Sequence, residues 1–367
     1  MKNICIFGCD FQSGGATSVA VKMANELSRY HNVYFLAAAD SDSTLWGKEH
    51  ISSEVKYHNF GLANERILKL RLKTAPLFRK FVKENDIDIV FSIGYYAAFF
   101  IAPLLSGKSR CKYVYCEHGA PANQMSDKKA TIMRKINVHA YDMTVALTKR
   151  SERDFVSLIG ARADRVTTIP NWINSDDISE DAVYNKDSKK LLTIGRISDE
   201  KGFDMLVDIA RVVLSRHTDW QWHIMGDGPD REKIEKMISE AGLSDKIILL
   251  GNVAGATAYF DQYSVVCLTS YREGLPLVLL EAKAKKLPCV SFDVVTGPSE
   301  IIRDGVNGYL IPCYDKEMYA NKLCSLIESR EKRERFSENA MLDLERFEKG
   351  NIMKLWLSLT ERLTEKK

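Results

Sequence analysis

Glu273 and Glu281 flank the run Gly-Leu-Pro-Leu-Val-Leu-Leu, and this spacing of two acids is the most chemically suggestive feature of the chain. A carboxylate such as Glu281 can accept hydrogen bonds from the hydroxyls of a ribose. Two acids could instead cut a glycosidic bond, but only if they face each other across it. Both acids belong to one loop-to-helix segment, so hydrolysis is the weaker reading. Upstream, Gly195-Arg196 and nearby Lys201 combine a planar fork of donors with a compact point charge, a pair suited to a diphosphate. Gly226 and Gly228 would let backbone come close to a ligand. The residues Gly274, Leu275, Pro276 and Leu277 open a helix whose first N–H groups and positive dipole end favour phosphate oxygens. In the first half, Gly14-Gly15 follows an apolar run and precedes a helix pattern, a cradle for an anion or a sugar. His118 follows another such run and is itself followed by glycine.

These residues must be held by something, and the apolar periodicity says what. Ile4–Phe7, Val33–Ala38, Ile89–Ile93, Lys112–Cys116, Asp142–Ala146 and Arg165–Ile169 read as short buried strands separated by helix patterns. After a polar stretch the alternation restarts with Lys190–Ile194, Trp220–Met225, Ile247–Leu249, Val265–Thr269 and Cys289–Phe292. Every candidate named above, with Asn252 beyond the Ile247 strand, stands just past a strand or on the helix behind one. Parallel α/β sheets bind ligands at those carboxyl edges. The expected fold is therefore α/β, with two Rossmann-like doubly wound domains facing across a cleft. The expected division is 1–170, a linker at 171–189, a second domain with a nucleotide diphosphate pocket at 190–345, and a helix at 346–367 packing back on the first domain through Ile352, Leu355, Trp356, Leu359 and Leu363.

A chain of 367 residues exceeds one ordinary core, which agrees with two domains. Residues 1–170 hold 24 Lys and Arg against 16 Asp and Glu, and the remainder 28 against 33, so the net +3 conceals a basic first half. That asymmetry suits an anionic lipid surface or a polyanionic acceptor, or else is scatter. Scatter is the bland alternative because no more than two basic residues ever adjoin; nucleic acid is not an expected partner. Residues 65–83 interleave basic and apolar side chains, with Leu68, Leu72, Leu77, Phe78 and Phe81 as an apolar strip and Pro76 dividing two helices. Such a segment suits either an anionic leaflet or an ordinary surface layer. Asp40-Ser41-Asp42 fits a solvated turn better than a metal clamp. The eight cysteines form no CxxC pair and read as reduced core residues of a cytosolic protein. No metal or other cofactor is expected.

The motifs taken together resemble the retaining, nucleotide-sugar-dependent glycosyltransferases of family 4, which have the GT-B fold. The resemblance runs along almost the whole chain. Glu273 to Ala282 is similar to the family's E-x7-E signature, Gly195-Arg196 with Glu200-Lys201-Gly202 to its diphosphate segment, and Gly226-Asp227-Gly228-Pro229 to its G-x-G turn. Gly14-Gly15 is similar to its N-terminal glycine pair, His118 to its histidine near the transferred sugar, and Asn171 to its Pro-Asn hinge. Thr296–Glu300 and Asp304–Gly308 resemble bacterial members that build lipopolysaccharide or capsule. One departure is Lys283-Ala284-Lys285-Lys286, where members more often carry Met-Ala-x-Gly; it should alter only a helix end.

The resemblance implies a UDP-sugar donor, a lipid-linked or polysaccharide acceptor, and work in the cytoplasm at or near the inner face of the membrane. Arg196 and Lys201 would stabilise the departing UDP, His118 and Glu273 would attend the donor sugar, and Glu281 would grip ribose. A nucleotide-sugar 2-epimerase and a non-catalytic glycan-binding protein are the alternatives.

Overall fold

The computed structural model describes residues 1–11, 14–39, 46–62, 67–102, 110–173, 177–178 and 182–365. Asp40-Ser41-Asp42 lies outside them. The chain divides into two compact units, Met1–Asn171 with Ile352–Lys367, and Trp172–Asn351.

The first unit runs β1 (Asn3–Gly8), α1 (Gly15–Leu27), β2 (Asn32–Ala37), α2 (Trp46–His50), β3 (Lys56–Asn59), α3 (Ile67–Glu84), β4 (Ile89–Ile93), α4 (Gly94–Ile101), β5 (Lys112–Cys116), α5 (Lys128–Ala140), β6 (Met143–Ala146), α6 (Lys149–Asp154) and β7 (Val166–Thr168). All strands pair in parallel, in the order β3-β2-β1-β4-β5-β6-β7. The strand order reverses between β1 and β4, where Ile4 stands opposite Ile89. Continuous apolar strands such as β1 are buried on both faces, which is why they lack polar alternation.

The second unit runs β8 (Lys190–Ile194), α7 (Phe203–Arg216), β9 (Gln221–Met225), α8 (Arg231–Glu240), β10 (Ile247–Gly251), β11 (Val265–Leu268), α9 (Leu277–Ala284), β12 (Cys289–Phe292), α10 (Pro298–Ile301), β13 (Gly308–Ile311), α11 (Lys316–Glu328) and α12 (Arg330–Glu338). Its sheet is also parallel, in the order β10-β9-β8-β11-β12-β13, and reverses between β8 and β11. The Thr193 hydroxyl of β8 donates to the Cys267 carbonyl of β11 at 2.9 Å and accepts from the Trp222 indole at 3.0 Å, so the switch point is braced inside the core.

Several elements differ from the expectation, each for a physical reason. Pro76 lies inside α3, one continuous helix of 18 residues. A mid-helix proline costs about 3 kcal/mol, and α3 persists because Leu70, Thr74, Phe78 and Phe81 bury one face of it. Leu72 is consequently 68% exposed and Leu77 is exposed too, off the apolar strip expected of them. The polar stretch after Asn171 opens inside the second unit. Trp172 and Ile173 are buried there, and the Ile173 N–H donates to Phe347 O at 3.0 Å while its carbonyl accepts from Lys349 N–H at 3.1 Å. The final helix, α13 (Lys349–Thr364), buries Ile352, Met353, Trp356 and Leu359, with Trp356 edge-on to Phe91 of β4 at 5.4 Å. Leu355 is exposed instead. Among the described residues no helix is long and apolar enough to cross a membrane.

Candidate active site

Ligand-binding loops of a doubly wound sheet gather where the strand order reverses. In the second unit that place lies past the ends of β8 and β11, and Gly195, Arg196, Lys201 and Glu273 fall there. Gly195 and Arg196 follow β8, and Lys201 ends a short 3-10 turn, Asp199–Lys201. The Lys201 ammonium donates to Glu273 Oε1 at 2.7 Å, and the Ser270 hydroxyl donates to the same oxygen at 2.7 Å. The Lys201 stem lies beside Gly195, whose added Cβ would meet Lys201 Cγ at 3.8 Å. Structure thus brings Gly195, Lys201 and Glu273 together. An ammonium has three donors, one of them used by Glu273, so the same nitrogen can also face an anion. Arg196 is exposed and forms no ion pair among the described residues.

The loop carrying Glu273 is held from two sides. Tyr271 N–H donates to Glu200 O at 2.9 Å, its hydroxyl donates to Asp204 at 2.7 Å, and Tyr314 donates to its carbonyl at 3.0 Å. On the other side the Thr296 hydroxyl donates to Glu273 O at 2.7 Å. Gly297, at φ +100, presses so closely that a Cβ there would be 2.8 Å from Gly274 O. The Thr-Gly-Pro turn after β12 is therefore a brace for the E-x7-E loop. Leu275 and Pro276 are buried, and Pro276 caps α9 with no side-chain hydrogen bond at that end. Half-buried Leu277 and Glu281 stand on α9 itself, Leu277 as its first residue and Glu281 about one turn further on.

The glycines divide into two groups. A Cβ on Gly226 would sit 1.9 Å from Gly195 O, and one on Gly228 2.2 Å from Ile197 O. The loop after β9 thus needs glycine to lie on the loop after β8, which explains both residues without a ligand. Gly226 N–H also donates to Gly251 O at 2.7 Å, next to exposed Asn252. Gly14 and Gly15, by contrast, are exposed at the start of α1, and nothing described lies within 4 Å of a Cβ on either.

In the first unit His118 follows β5 and is half-buried. Burial pushes its pKa down to about 4, with the Glu117 carboxylate pulling the other way, so the ring is neutral at ordinary pH. Asn171 is buried at the end of this unit. The sequence reading missed the network beneath His118. Arg134 Nε donates to Glu117 Oε2 at 2.7 Å, Tyr115 donates to the same carboxylate oxygen, and Gly119 N–H donates to Oε1 at 2.9 Å. Arg134 sits in a basic helix that reads as surface, and nothing in its spacing marks it as buried. Ser270, Thr296 and Gly297 were legible in principle, since each stands past a strand. No group of three or more His, Cys, Asp or Glu that could hold a metal occurs among the described residues.

Residues 174–343 match the family described as "Glycosyl transferases group 1", and residues 13–177 match "Glycosyltransferase Family 4". The amylovoran biosynthesis glycosyltransferase AmsD of Erwinia amylovora is 27% identical over 94% of this chain and 95% of its own. The exopolysaccharide phosphotransferase SCO2592 of Streptomyces coelicolor is 32% identical over 62% of this chain, which spans 24% of that longer protein. Among solved structures, Anabaena Alr3699/HepE in complex with UDP and glucose superposes with a TM-score of 0.82 at 20% identity, covering 98% of this chain and 100% of that one. At that identity the likeness shows a shared fold.

Proposed function

The chain belongs to the family 4 glycosyltransferases and is an enzyme of that class, and from this we propose that it moves a hexose or N-acetylhexosamine from a UDP-sugar to a lipid-linked or polysaccharide acceptor, with retention of anomeric configuration, in surface-glycan synthesis. The observation that carries the donor assignment is the Lys201–Glu273–Ser270 cluster beside Gly195, at the switch point of the second sheet. A relative named as an amylovoran biosynthesis glycosyltransferase and a structural neighbour solved with UDP and glucose support it.

In this reading the bond from the anomeric carbon to the UDP oxygen breaks as negative charge gathers on the diphosphate. Lys201, Arg196 and the first N–H groups of α9 stabilise that charge. The released phosphate oxygen takes the proton of the incoming hydroxyl on the same face. Glu281 accepts hydrogen bonds from ribose, Glu273 orients the sugar, and neutral His118 donates or accepts a hydrogen bond at the sugar. Gly14-Gly15 leave room for donor and acceptor, and Asn171 serves as the hinge. Lys69, Lys80 and Arg79 lie on the outward side of α3 near exposed Leu72 and Leu77, a surface fit for an anionic leaflet at the cytoplasmic face.

The test is donor-specific UDP release from a panel of UDP-sugars, with and without lipid-linked and polysaccharide acceptors, alongside calorimetric binding of UDP. Glycoside formation with retained configuration is the expected result. A changed sugar with no glycoside would indicate an epimerase, and a folded protein with no affinity for any UDP-sugar would remove the proposal.

A further inference from the structure

The ion pair under His118 sits where an apolar core would ordinarily continue. Glu117 and Arg134 have side chains 3% and 1% exposed. Taking two charges out of water is costly, so such a pair contributes little stability over apolar side chains of equal volume. What it does contribute is geometry. The Glu117 N–H is held by Val145 O of β6 at 3.0 Å, and the Glu117 carboxylate then reaches over its neighbour to Gly119 N–H. The backbone on both sides of His118 is thereby pinned. The fit at Gly119 is close: a Cβ there would stand 3.3 Å from Glu117 Oε1, so a side chain would push the carboxylate by a few tenths of an ångström.

Arg134 fixes the carboxylate from α5 and links it to the surroundings. Its guanidinium donates to Gln124 in the turn Pro121–Gln124 and lies over the Tyr95 ring at 4.5 Å, where α4 leaves the switch-point strand β4. Burial alone would raise the Glu117 pKa, but Arg134 and the hydrogen bonds from Arg134, Tyr115 and Gly119 outweigh it and hold the acid below its ordinary value. The carboxylate stays charged, and the clamp stays closed, throughout the neutral range.

We infer that Glu117 and Arg134 are positioning residues: their buried pair sets the backbone, and through it the ring, of His118 for sugar transfer. The inference rests on the proposed role of His118 at the donor sugar. The decisive experiment is a double-mutant cycle on turnover, using E117Q, H118A and E117Q/H118A, with R134K as the variant to use in its place should E117Q fail to fold. Calorimetric UDP affinity is measured in parallel.

A residue acting through His118 lowers kcat by about 10²-fold in the wild-type background and has no further effect once His118 is gone. UDP affinity stays within about twofold of wild type. Equal losses in both backgrounds, wild-type kcat in E117Q, or a matching fall in UDP affinity would each overturn it. If wild-type enzyme releases no UDP from any donor, the transferase reading itself fails, an outcome distinct from any of these.

Discussion

Substituting Gly202 by alanine would strike the contact that sets Lys201 against Glu273. Gly202 immediately follows Lys201, has φ +62, and caps α7. A Cβ built on it stands 2.1 Å from the carbonyl oxygen of Thr269, just past β11. That oxygen belongs to backbone at the switch point and cannot turn away as a side chain would. A tolerable contact requires the loops after β8 and β11 to part by about 1 Å. Left-handed backbone costs a residue with a Cβ about 1 kcal/mol, and forced overpacking adds about 1–3. The sum, roughly 2–4 kcal/mol, lowers Tm by roughly 10 °C in a unit of this size. A displacement of about 1 Å between catalytic groups costs on the order of 10²-fold in turnover.

The control is Gly242→Ala. Gly242 has φ +69, but nothing lies within 4 Å of its Cβ. It bears the conformational strain without the collision, so it should lose only about 1 kcal/mol and turn over normally. Thermal unfolding and UDP release on the two variants separate the terms. If Gly202→Ala unfolds no earlier than Gly242→Ala and keeps wild-type turnover, the Thr269 contact does not set the site.

Lys201→Ala and Arg196→Ala should each lower turnover by at least ~10²-fold while the protein stays folded; unaltered steady-state rates in either would withdraw that side chain from the diphosphate. Lys286 is at φ +57 at the end of α9, where Leu287 N–H bonds Ala282 O at 2.9 Å and Lys286 N–H bonds Lys283 O at 2.9 Å. Glycine is the residue this left-handed cap favours, so Lys286→Gly should stabilise by roughly 0.5–1 kcal/mol at unchanged turnover, and a lower Tm would contradict it. Because the His118 pKa falls from 6.5 to about 4 on folding, the unfolded chain takes up a proton between those values that the folded chain refuses. Stability should fall as pH drops from 6.5 towards 4, and more steeply than in His118→Gln; parallel Tm–pH curves would refute the assignment. For the same reason turnover should show no acid limb near pH 6.5.

Which residues stand past strand ends was already decided by local pattern. Apolar runs such as Ile4–Phe7 and Val265–Leu268 read as buried strands, and Gly195, His118 and Glu273 stand in the loops that follow such runs. The edge strands β3, Lys-Tyr-His-Asn, and β13 were not legible this way. The first is mostly exposed and the second opens on a glycine just after a turn, so pairing with a neighbour defines them. Tertiary structure alone decided that α3 runs through Pro76, because packing of Phe78 and Phe81 outweighs a local preference to break. It also decided which glycines the chain needs for itself, and that Lys201 and Glu273, 72 positions apart, share a hydrogen bond. Arg134 shows the limit most clearly: its helix reads as basic surface, and only the approach of Glu117, just past the end of β5, makes burial of that charge tolerable.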